Sequence, residues 1–528
     1  MRLLRLWALF GWVCTALLAP ALAQTRVHVQ QGTLEGSVSG DVVSFKGVPF
    51  AAPPVGDLRW RPPQPANASD GVRQARSFPA ACKQVLVRSL LPWTEEFMHP
   101  REDSEDCLYL NVWAPRSVAK GRPLPVYVFI HGGAFTGGST AVPVYDGAAL
   151  AAKGVEVVTI QYRLGVFGFF AHPALTAESP EHASGDYGLL DCIAALRWVK
   201  ENIAAFGGDP SRVTVGGQSA GAAALHDLLA SPLSRGLIEG VIAESGSSVG
   251  SGMKSLSAAE KDGEAFAAAK GAMSLAALRA LPADKLLPEA SGPAAMRFSP
   301  VIDGWCLPED PTAAIADGHV LDVPILTGMQ ADEGSSSKGY GHSSAPELDE
   351  QTAMTYGKEA QARFRVLYPF SDQDSASAMS KAAARDRGLA SLYLWASRTA
   401  AGEHRQVYTY YWTHVLPWPQ HPEFGSFHSS ELPYVFDHLS VLHRPFTDAD
   451  RALAAEASGW WVNFIRNGDP NGRGSPHWDR FDAARPETME IDVHAHMRPL
   501  MSPARLEFWT SVRSPAESRN SATHSRAN

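Results

Sequence analysis

Hydrophobic residues along the chain fall into two patterns that alternate with each other. Six short runs are almost continuously apolar, which is typical of strands buried on both faces of a sheet. These runs lie at residues 107–113, 126–130, 155–160, 212–215, 323–328 and 407–412. Between them, apolar residues recur every three or four positions, as at 188–206 and 222–229, which predicts amphipathic helices. Alternating strands and helices predict an α/β fold with a large, mostly parallel central sheet flanked by helices.

The regions around these runs have other patterns. Residues 27–50 alternate polar and apolar positions between glycines, which predicts a small antiparallel sheet near the N-terminus. We expect residues 83–103 to form a long polar loop, and the helix-rich stretch 335–405 to form a helical cap region. The sequence thus predicts one domain over residues 24–515, followed by a polar, disordered tail at 516–528.

The first 23 residues have the composition of an export signal. Arg2 and Arg5 precede an apolar core at 6–18, and Ala21-Leu22-Ala23 forms a small-x-small cleavage site. A membrane anchor is disfavoured because the apolar core is too short to span a bilayer. We therefore predict a cleaved signal peptide at 1–23, a periplasmic or secreted product, and no stable membrane insertion after cleavage.

Composition and charge narrow the class of protein. The chain has 528 residues, of which 45% are apolar and 19% charged, an ordinary globular composition. A formal net charge of −9 disfavours a nucleic-acid partner on electrostatic grounds. Nothing in the pattern marks an oligomer, and we expect a monomer.

Export makes the cysteines candidates for disulfides. Cys82 and Cys107 are 25 positions apart and bracket a loop-like sequence. Closing such a loop would stabilise the fold by roughly 3 kcal/mol. Cys192 lies on an apolar helix face and Cys306 follows a turn, so we expect both to be buried free thiols.

The strand at 212–215 and the helix at 222–229 are joined by Gly217-Gln218-Ser219-Ala220-Gly221. A strand, a G-x-S-x-G turn and a helix together form the nucleophile elbow of serine hydrolases. Glycines flank the serine because side chains two positions away would collide in so tight a turn. Backbone N–H groups at the helix start would face negative charge that develops near Ser219. The motif alone is also compatible with a plain turn. Other motifs in the sequence are therefore needed to distinguish a nucleophile elbow from such a turn.

His131-Gly132-Gly133-Ala134-Phe135 follows the strand at 126–130. Its glycines allow backbone N–H groups to converge without obstruction by side chains. A plain glycine-rich loop is the alternative, and a phosphate-binding loop is disfavoured because no Gly-Lys-Ser/Thr follows. Its position after a strand and upstream of the elbow fits an oxyanion hole.

Several longer motifs occur in a fixed order along the chain. They lie at residues 47–51, 105–112, 162–169, 206–221, 300–304, 331–334, 428–436 and 467–471. With these motifs the chain resembles the type-B carboxylesterases, the family that includes the cholinesterases, over about residues 27 to 512. Stretches 50–63 and 137–150 look similar to its bacterial secreted branch.

The resemblance implies roles for individual residues. The implied triad is Ser219, Glu333 and His428, and its order agrees with the α/β-hydrolase arrangement. The implied oxyanion donors are the backbone N–H groups of Gly133, Ala134 and Ala220. The resemblance also implies a Cys82–Cys107 disulfide and two structural ion pairs, Arg59 with Glu105 and Arg163 with Asp191.

The chain departs from the family at positions that bear on the substrate. Gln218 stands where the residue before the nucleophile is usually Glu, and Phe97 stands where choline-specific members carry a stacking Trp. Loss of a carboxylate and a weaker cation–π partner argue against a quaternary ammonium substrate, although Trp93 lies close in sequence. Met296 and Phe298 are expected near the acyl pocket.

The function implied is hydrolysis of a small-molecule carboxylic ester through an acyl-enzyme, without a metal or an organic cofactor. His494 and His496 are too isolated to indicate a metal site. Alternatives are a lipase or a polycarboxylate ester hydrolase resembling fumonisin-degrading esterases. The family also includes adhesion proteins, so a catalytically silent binding protein is the alternative outside enzymes.

Overall fold

Eleven strands form one sheet at the centre of the structure. The structure is a computed structural model that describes residues 21–22, 25–87, 90–98, 102–118, 122–246, 252–289, 296–400 and 405–512. In chain order the strands are β1 Ser37–Ser39, β2 Val42–Pro49, β3 Tyr109–Pro115, β4 Leu124–Ile130, β5 Glu156–Ile160, β6 Gly208–Gln218, β7 Gly240–Glu244, β8 Ile325–Gln330, β9 Val407–Trp412, β10 Glu487–Ile491 and β11 His496–Pro499. Each of the six apolar runs predicted as strands lies in this sheet.

The strand order across the sheet is β11-β10-β9-β8-β7-β6-β4-β5-β3-β2-β1. The central block from β10 to β5 is parallel throughout. Both margins are antiparallel, with β11 at one edge and β3, β2 and β1 at the other. The sheet is therefore mixed, with the parallel strands in its interior.

Fifteen α-helices lie within the described part of the chain. They are α1 Ala148–Ala152, α2 Gly165–Phe169, α3 Pro173–Glu178, α4 Tyr187–Asn202, α5 Ala220–Ala230, α6 Leu256–Ala269, α7 Leu275–Ala280, α8 Ala283–Leu286, α9 Pro311–Asp317, α10 Ala345–Tyr356, α11 Lys358–Leu367, α12 Gln373–Thr399, α13 Leu432–Val435, α14 Asp448–Asn467 and α15 Pro503–Ser511. The two predicted amphipathic helices correspond to α4 and α5.

Alternate residues of β4 face two separate hydrophobic cores. Val128 and Ile130 belong to a core that includes residues of α4 and α5. Tyr127 and Phe129 belong to a second core that includes residues of α13 and α14. Because successive side chains of a strand point to opposite faces, helices cover both faces of the sheet, as the continuous apolar runs predict.

The N-terminal region differs from the prediction of one antiparallel sheet over residues 27–50. Strands Arg26–Val29 and Gly32–Glu35 pair antiparallel, and Val72–Gln74 adds in parallel to give a small three-stranded sheet. The rest of the stretch forms β1 and β2 at the edge of the central sheet. Apolar residues of this stretch, such as the fully buried Phe45, pack in the core that includes α4 and α5. Local alternation of polar and apolar residues does not determine which sheet a strand joins.

The helices between residues 345 and 399 pack against one another and against part of the central sheet. Helix α12 packs against β8, β9 and α15. Together with α10, α11 and α15 it encloses a third core, which Met329 and Tyr411 reach from the sheet. The predicted helical region thus exists, and it packs against the inner strands β8 and β9.

Remaining short elements are 3₁₀ turns and two-residue strands. The 3₁₀ turns are Gly56–Leu58, Pro143–Tyr145, Ile203–Ala205, Pro232–Ser234, Pro422–Phe424 and Leu439–Val441. The short strand pairs are Ala21–Leu22 with Ser117–Val118, Ala81–Cys82 with Asp103–Ser104, and Lys254–Ser255 with Val301–Ile302.

The structure contains the disulfide between Cys82 and Cys107, while Cys192 and Cys306 are free and buried. Both implied ion pairs are also present. Arg59 contacts Glu105 through two hydrogen bonds of 2.6 and 2.5 Å. Arg163 contacts Asp191 through two bonds of 2.8 Å, with both side chains buried.

Both predicted terminal segments, the signal peptide at 1–23 and the tail at 516–528, lie outside the described residues, apart from the backbone of Ala21–Leu22. Among the helices of the described ranges, none has both the length and the apolar composition that a bilayer crossing requires.

Candidate active site

Ser219 lies alone between the end of β6 at Gln218 and the start of α5 at Ala220. Its backbone angles are φ 59° and ψ −122°, a combination that residues with a side chain seldom adopt. A Cβ on Gly217 would lie 2.6 Å from the carbonyl carbon of Gly221, and a Cβ on Gly221 would overlap the carbonyl oxygen of Ile130. The two glycines are therefore required by space, and the turn presents Ser219 at the end of the sheet.

The loop after β4 has an unusual backbone. Gly133, Ala134 and Phe135 have positive φ angles of 114°, 55° and 60°. Within the described chain, the N–H groups of Gly133, Ala134 and Ala220 donate to no acceptor. Three unpaired N–H groups beside Ser219 are what an oxyanion needs.

Two polar contacts hold this loop in place. The amide of Gln84 donates to the carbonyl of Gly138 at 2.8 Å and accepts from its N–H at 2.9 Å. The ring of His131 stacks on Tyr162, and burial lowers the pKa of His131 to about 4, so this histidine stays neutral. Sequence analysis missed Gln84, because nothing local marks a glutamine that bonds to a loop 54 residues away.

Glu333 follows β8 and His428 lies in the loop after β9, and the two side chains are hydrogen-bonded. Nδ1 of His428 donates to Oε2 of Glu333, and Oε1 of Glu333 accepts from the N–H of Gln330 at 2.8 Å. Burial opposes charge on both groups, but their mutual attraction and hydrogen bond outweigh it. The pKa of Glu333 is therefore lowered and the pKa of His428 is raised. The other ring nitrogen, Nε2, is not bonded to Glu333, and in the neutral imidazole its lone pair can accept a proton.

Asp332 joins the two loops that carry this pair. Its N–H donates to the carbonyl of Ser426 at 2.9 Å, and its carboxylate accepts from the N–H of Ser426 at 3.1 Å. The same carboxylate accepts from Arg385 at 2.6 Å and from Tyr340 at 2.8 Å. The sequence assigned no role to Asp332, because its partners Ser426, Arg385 and Tyr340 come from distant segments.

These groups border one cavity of about 730 Å³. Of the residues with an implied catalytic role, Ser219, His428, Gly133 and Ala134 line it. The four predicted substrate contacts also line it, namely Gln218, Phe97, Met296 and Phe298. A hydroxyl, a carboxylate–imidazole pair and free N–H groups around a cavity of this size can support acyl transfer.

The model of the Carboxylesterase family matches residues 23–509. The chain belongs to the carboxylesterase family. It is 40% identical over 479 residues to the fumonisin B1 esterase of Sphingopyxis macrogoltabida, covering 86% of this chain and 84% of that protein. It is 35% identical over 486 residues to the para-nitrobenzyl esterase of Bacillus subtilis (strain 168), covering 88% and 94%.

Solved structures agree with this assignment. A PNB esterase matches with a TM-score of 0.77 and 32% identity, covering 92% of this chain and 99% of that one. A thermophilic PNB esterase matches with a TM-score of 0.76. The chain is accordingly a carboxylic ester hydrolase with the α/β-hydrolase fold.

The segment between Cys82 and Cys107, here called the disulfide loop, forms one wall of the esterase's cavity. Residues 83–103 of this loop were predicted to be polar, but several of its exposed side chains are apolar. Five large apolar side chains within it are exposed: Val85, Leu86, Val87, Leu90 and Leu91. Val85, Val87 and Leu90 also line the cavity, so this group forms an apolar rim. Farther along the loop, the indole N–H of Trp93 donates to the carbonyl of His428 at 2.9 Å, and its ring lies edge-on to the imidazole.

Among the described residues, two cations of the esterase line the cavity, and their surroundings differ. Lys83 is held by Asp103 at 3.0 Å and by Asp284 at 2.5 Å. Arg297 is exposed and forms no ion pair within the described ranges, while Glu289 pairs with Lys270 at 3.1 Å. Within the described ranges, Arg297 is thus the cavity-lining cation that has no carboxylate partner and can bind an anionic group of a substrate.

Proposed function

We propose that this esterase cleaves carboxylic esters of large, mainly apolar molecules through an acyl-enzyme formed on Ser219. The observation that carries the proposal is the common cavity, in which the elbow serine, the Glu333–His428 pair and the unpaired N–H groups meet below an apolar rim.

In the acylation step, Oγ of Ser219 attacks the ester carbonyl carbon while Nε2 of His428 takes the hydroxyl proton. The carbonyl oxygen becomes negative and accepts hydrogen bonds from the N–H groups of Gly133, Ala134 and Ala220. The bond to the leaving oxygen then breaks, and that oxygen takes the proton from His428, releasing the alcohol.

In the deacylation step, water replaces the alcohol. His428 takes a proton from the water as it attacks the acyl carbon, and returns that proton to Oγ of Ser219 when the carboxylic acid leaves. Glu333 orients the imidazole and stabilises its charged form throughout, which agrees with the raised pKa of His428.

The size and rim of the cavity support a large substrate. A volume of about 730 Å³ is in the range that holds molecules well beyond a simple acetate ester. Apolar surface that leaves water against Val85, Val87 and Leu90 contributes roughly 25 cal/mol per Å² to binding. The same rim also supports the lipase alternative, which predicts an optimum at long acyl chains.

Arg297 supports a second candidate, an ester whose acyl or alcohol part bears free carboxylates. Its guanidinium can bind a carboxylate through two parallel hydrogen bonds. The similarity to a protein named fumonisin B1 esterase is compatible with this candidate.

The proposed function is tested by hydrolysis of p-nitrophenyl esters from acetate to palmitate. In Ser219→Ala, kcat should fall by on the order of 10⁶, whereas Ser211→Ala, a change at an exposed serine, should leave it unchanged. Activity that survives in Ser219→Ala would contradict the assignment. No activity in either protein, together with no reaction with a fluorophosphonate, would favour the silent binding protein.

The two substrate candidates call for matched variants. Val87→Ser should raise KM for long-chain esters, whereas Val38→Ser, at a similarly exposed valine (40% and 42%), should not. Arg297→Gln should raise KM for esters with a free carboxylate and spare neutral esters, while Arg235→Gln should affect neither. If a variant and its control change KM equally, the corresponding substrate candidate loses its support.

We also propose that the protein is exported. The apolar stretch after Arg2 and Arg5 and the Cys82–Cys107 disulfide support this, because disulfides persist in oxidising compartments. N-terminal sequencing of secreted or periplasmic protein should begin at Gln24, and an intact Met1 on protein retained in the cytoplasm would contradict export.

A further inference from the structure

Gln218 makes a contact with His428 that its place in the elbow does not require. It is the last residue of β6, it is 2% exposed, and it lines the cavity. Its side-chain Nε2 lies 3.1 Å from Nε2 of His428, across 210 residues of sequence. No hydrogen bond joins Oγ of Ser219 to His428 in the described structure, so Gln218 occupies the ring nitrogen that faces the cavity.

The direction of this hydrogen bond follows from the other side of the ring. Nδ1 of His428 carries the proton directed at Glu333, so in the neutral imidazole Nε2 has a lone pair and can only accept. A glutamine amide offers an N–H to that lone pair. An ionised glutamate offers only acceptors, and would be matched by Nε2 only when Nε2 also carries a proton.

We propose that Gln218 is a positioning residue that holds His428 as the neutral, proton-accepting imidazole until a substrate and Ser219 replace it at Nε2. This inference rests on the proposed role of His428 as the base. It also makes the residue before the nucleophile a determinant of the pH range in which the esterase works.

The surroundings of His428 leave this role to Gln218. Glu333 is the charged partner of the imidazole and favours the imidazolium. Burial raises the pKa of Glu244 to about 8, and burial together with the nearby Glu244 raises the pKa of Glu431, so both buried acids favour the neutral form. From the disulfide loop, the uncharged ring of Trp93 lies perpendicular to the imidazole at 6.1 Å between centroids. Glu333 favours the imidazolium form of His428, and the amide of Gln218 is the neighbouring group that favours the neutral imidazole instead.

The amide is also compatible with the next state of the reaction. Once Nε2 has taken the proton of Ser219, the side-chain oxygen of Gln218 can accept a hydrogen bond after the amide turns over. A carboxylate at this position would favour the charged state alone. It would therefore raise the pKa of His428 and compete with the leaving group for the proton on Nε2.

The test is an NMR titration of His428 in isotopically labelled protein, assigned with His428→Asn, in wild type, Gln218→Glu and Gln218→Met. We expect the pKa of His428 to rise by about 1–3 units in Gln218→Glu, the effect of an adjacent opposite charge. We expect a smaller rise in Gln218→Met, which removes the donor and adds no charge. The acidic limb of kcat/KM should move by the same amounts.

An unchanged or lowered pKa of His428 in both folded variants would overturn the inference. If Gln218→Glu does not fold, Gln218→Met alone decides, since any rise supports the donor role and no rise refutes it. Loss of activity without movement of the pKa would also refute it, because that result indicates a steric role. A wild-type protein that hydrolyses no ester would overturn the proposed function instead, and the titration would still report on Gln218.

Discussion

Among the described residues around the site, the non-glycine residues Ala134, Phe135, Ser219 and Ser429 have positive φ angles. Such conformations cost of order 1–3 kcal/mol each and persist only where the surrounding structure imposes them. Here Gly217 and Gly221 leave the space that Ser219 needs, and the bonds between Gln84 and Gly138 hold the other loop. The strain turns the serine hydroxyl and unpaired N–H groups toward one cavity.

At the residue scale, Glu333→Gln tests the role of the acid. The amide can donate to Nδ1 of His428, which moves the ring proton to Nε2 and removes the lone pair that Ser219 needs. By analogy with other triads, kcat should fall by about 10⁴. Steady-state hydrolysis of p-nitrophenyl butyrate measures this, with Glu309→Gln as the control for loss of a carboxylate elsewhere. A loss smaller than about tenfold in a folded Glu333→Gln protein would contradict the assigned role.

At the residue scale, roles could be proposed from the sequence where the motif is local. The elbow around Ser219 lies within five consecutive residues, and the family motifs placed Glu333 and His428. The contact between Gln218 and His428 was not predicted, because these residues are 210 positions apart in the sequence. The apolar rim was missed for another reason, because exposed valines and leucines in a loop depart from the usual polar composition of loops.

At the scale of elements, α5 packs closely against the end of β4 at the elbow. A Cβ on Gly221 would overlap the carbonyl oxygen of Ile130, so Gly221→Ala should force the elbow away from the sheet. We expect a loss of about 3 kcal/mol in unfolding free energy, together with lower kcat because Ser219 moves.

The matched control is Gly459 in α14, where a Cβ would meet open space. Gly459→Ala should stabilise the protein by about 0.5–1 kcal/mol, since alanine loses less backbone entropy on forming a helix. Chemical denaturation of both variants gives the comparison. Equal effects of the two substitutions would show that packing at the elbow does not require glycine.

Elements themselves were largely predictable from pattern, but their partners were not. The continuous apolar runs identified six strands of the sheet, because burial on both faces leaves a strong signal. The strand β7, Gly240–Glu244, is only five residues long, and it was missed. The alternating stretch 27–50 was assigned to one small sheet although Phe45 packs on Phe206 in the main core, a choice set by tertiary contacts.

At the scale of the whole molecule, the cavity is assembled from distant segments. Four segments each supply part of its wall: the disulfide loop, the loop after β4 that contains Gly133 and Ala134, the segment around Met296, and the loop of His428. The helices predicted to cap the site instead build a separate core with α15, and none of their described residues lines the cavity. Shape and substrate preference depend on this assembly, which sequence pattern alone does not encode.

The most direct test of the account is to locate the covalent intermediate. The protein is treated with a fluorophosphonate, its intact mass is measured, and the modified peptide is mapped, in wild type, Ser219→Ala and Ser211→Ala. The account predicts one phosphonyl group per chain, on Ser219, present in wild type and Ser211→Ala and absent in Ser219→Ala. A group on another residue, or labelling that persists in Ser219→Ala, would contradict it.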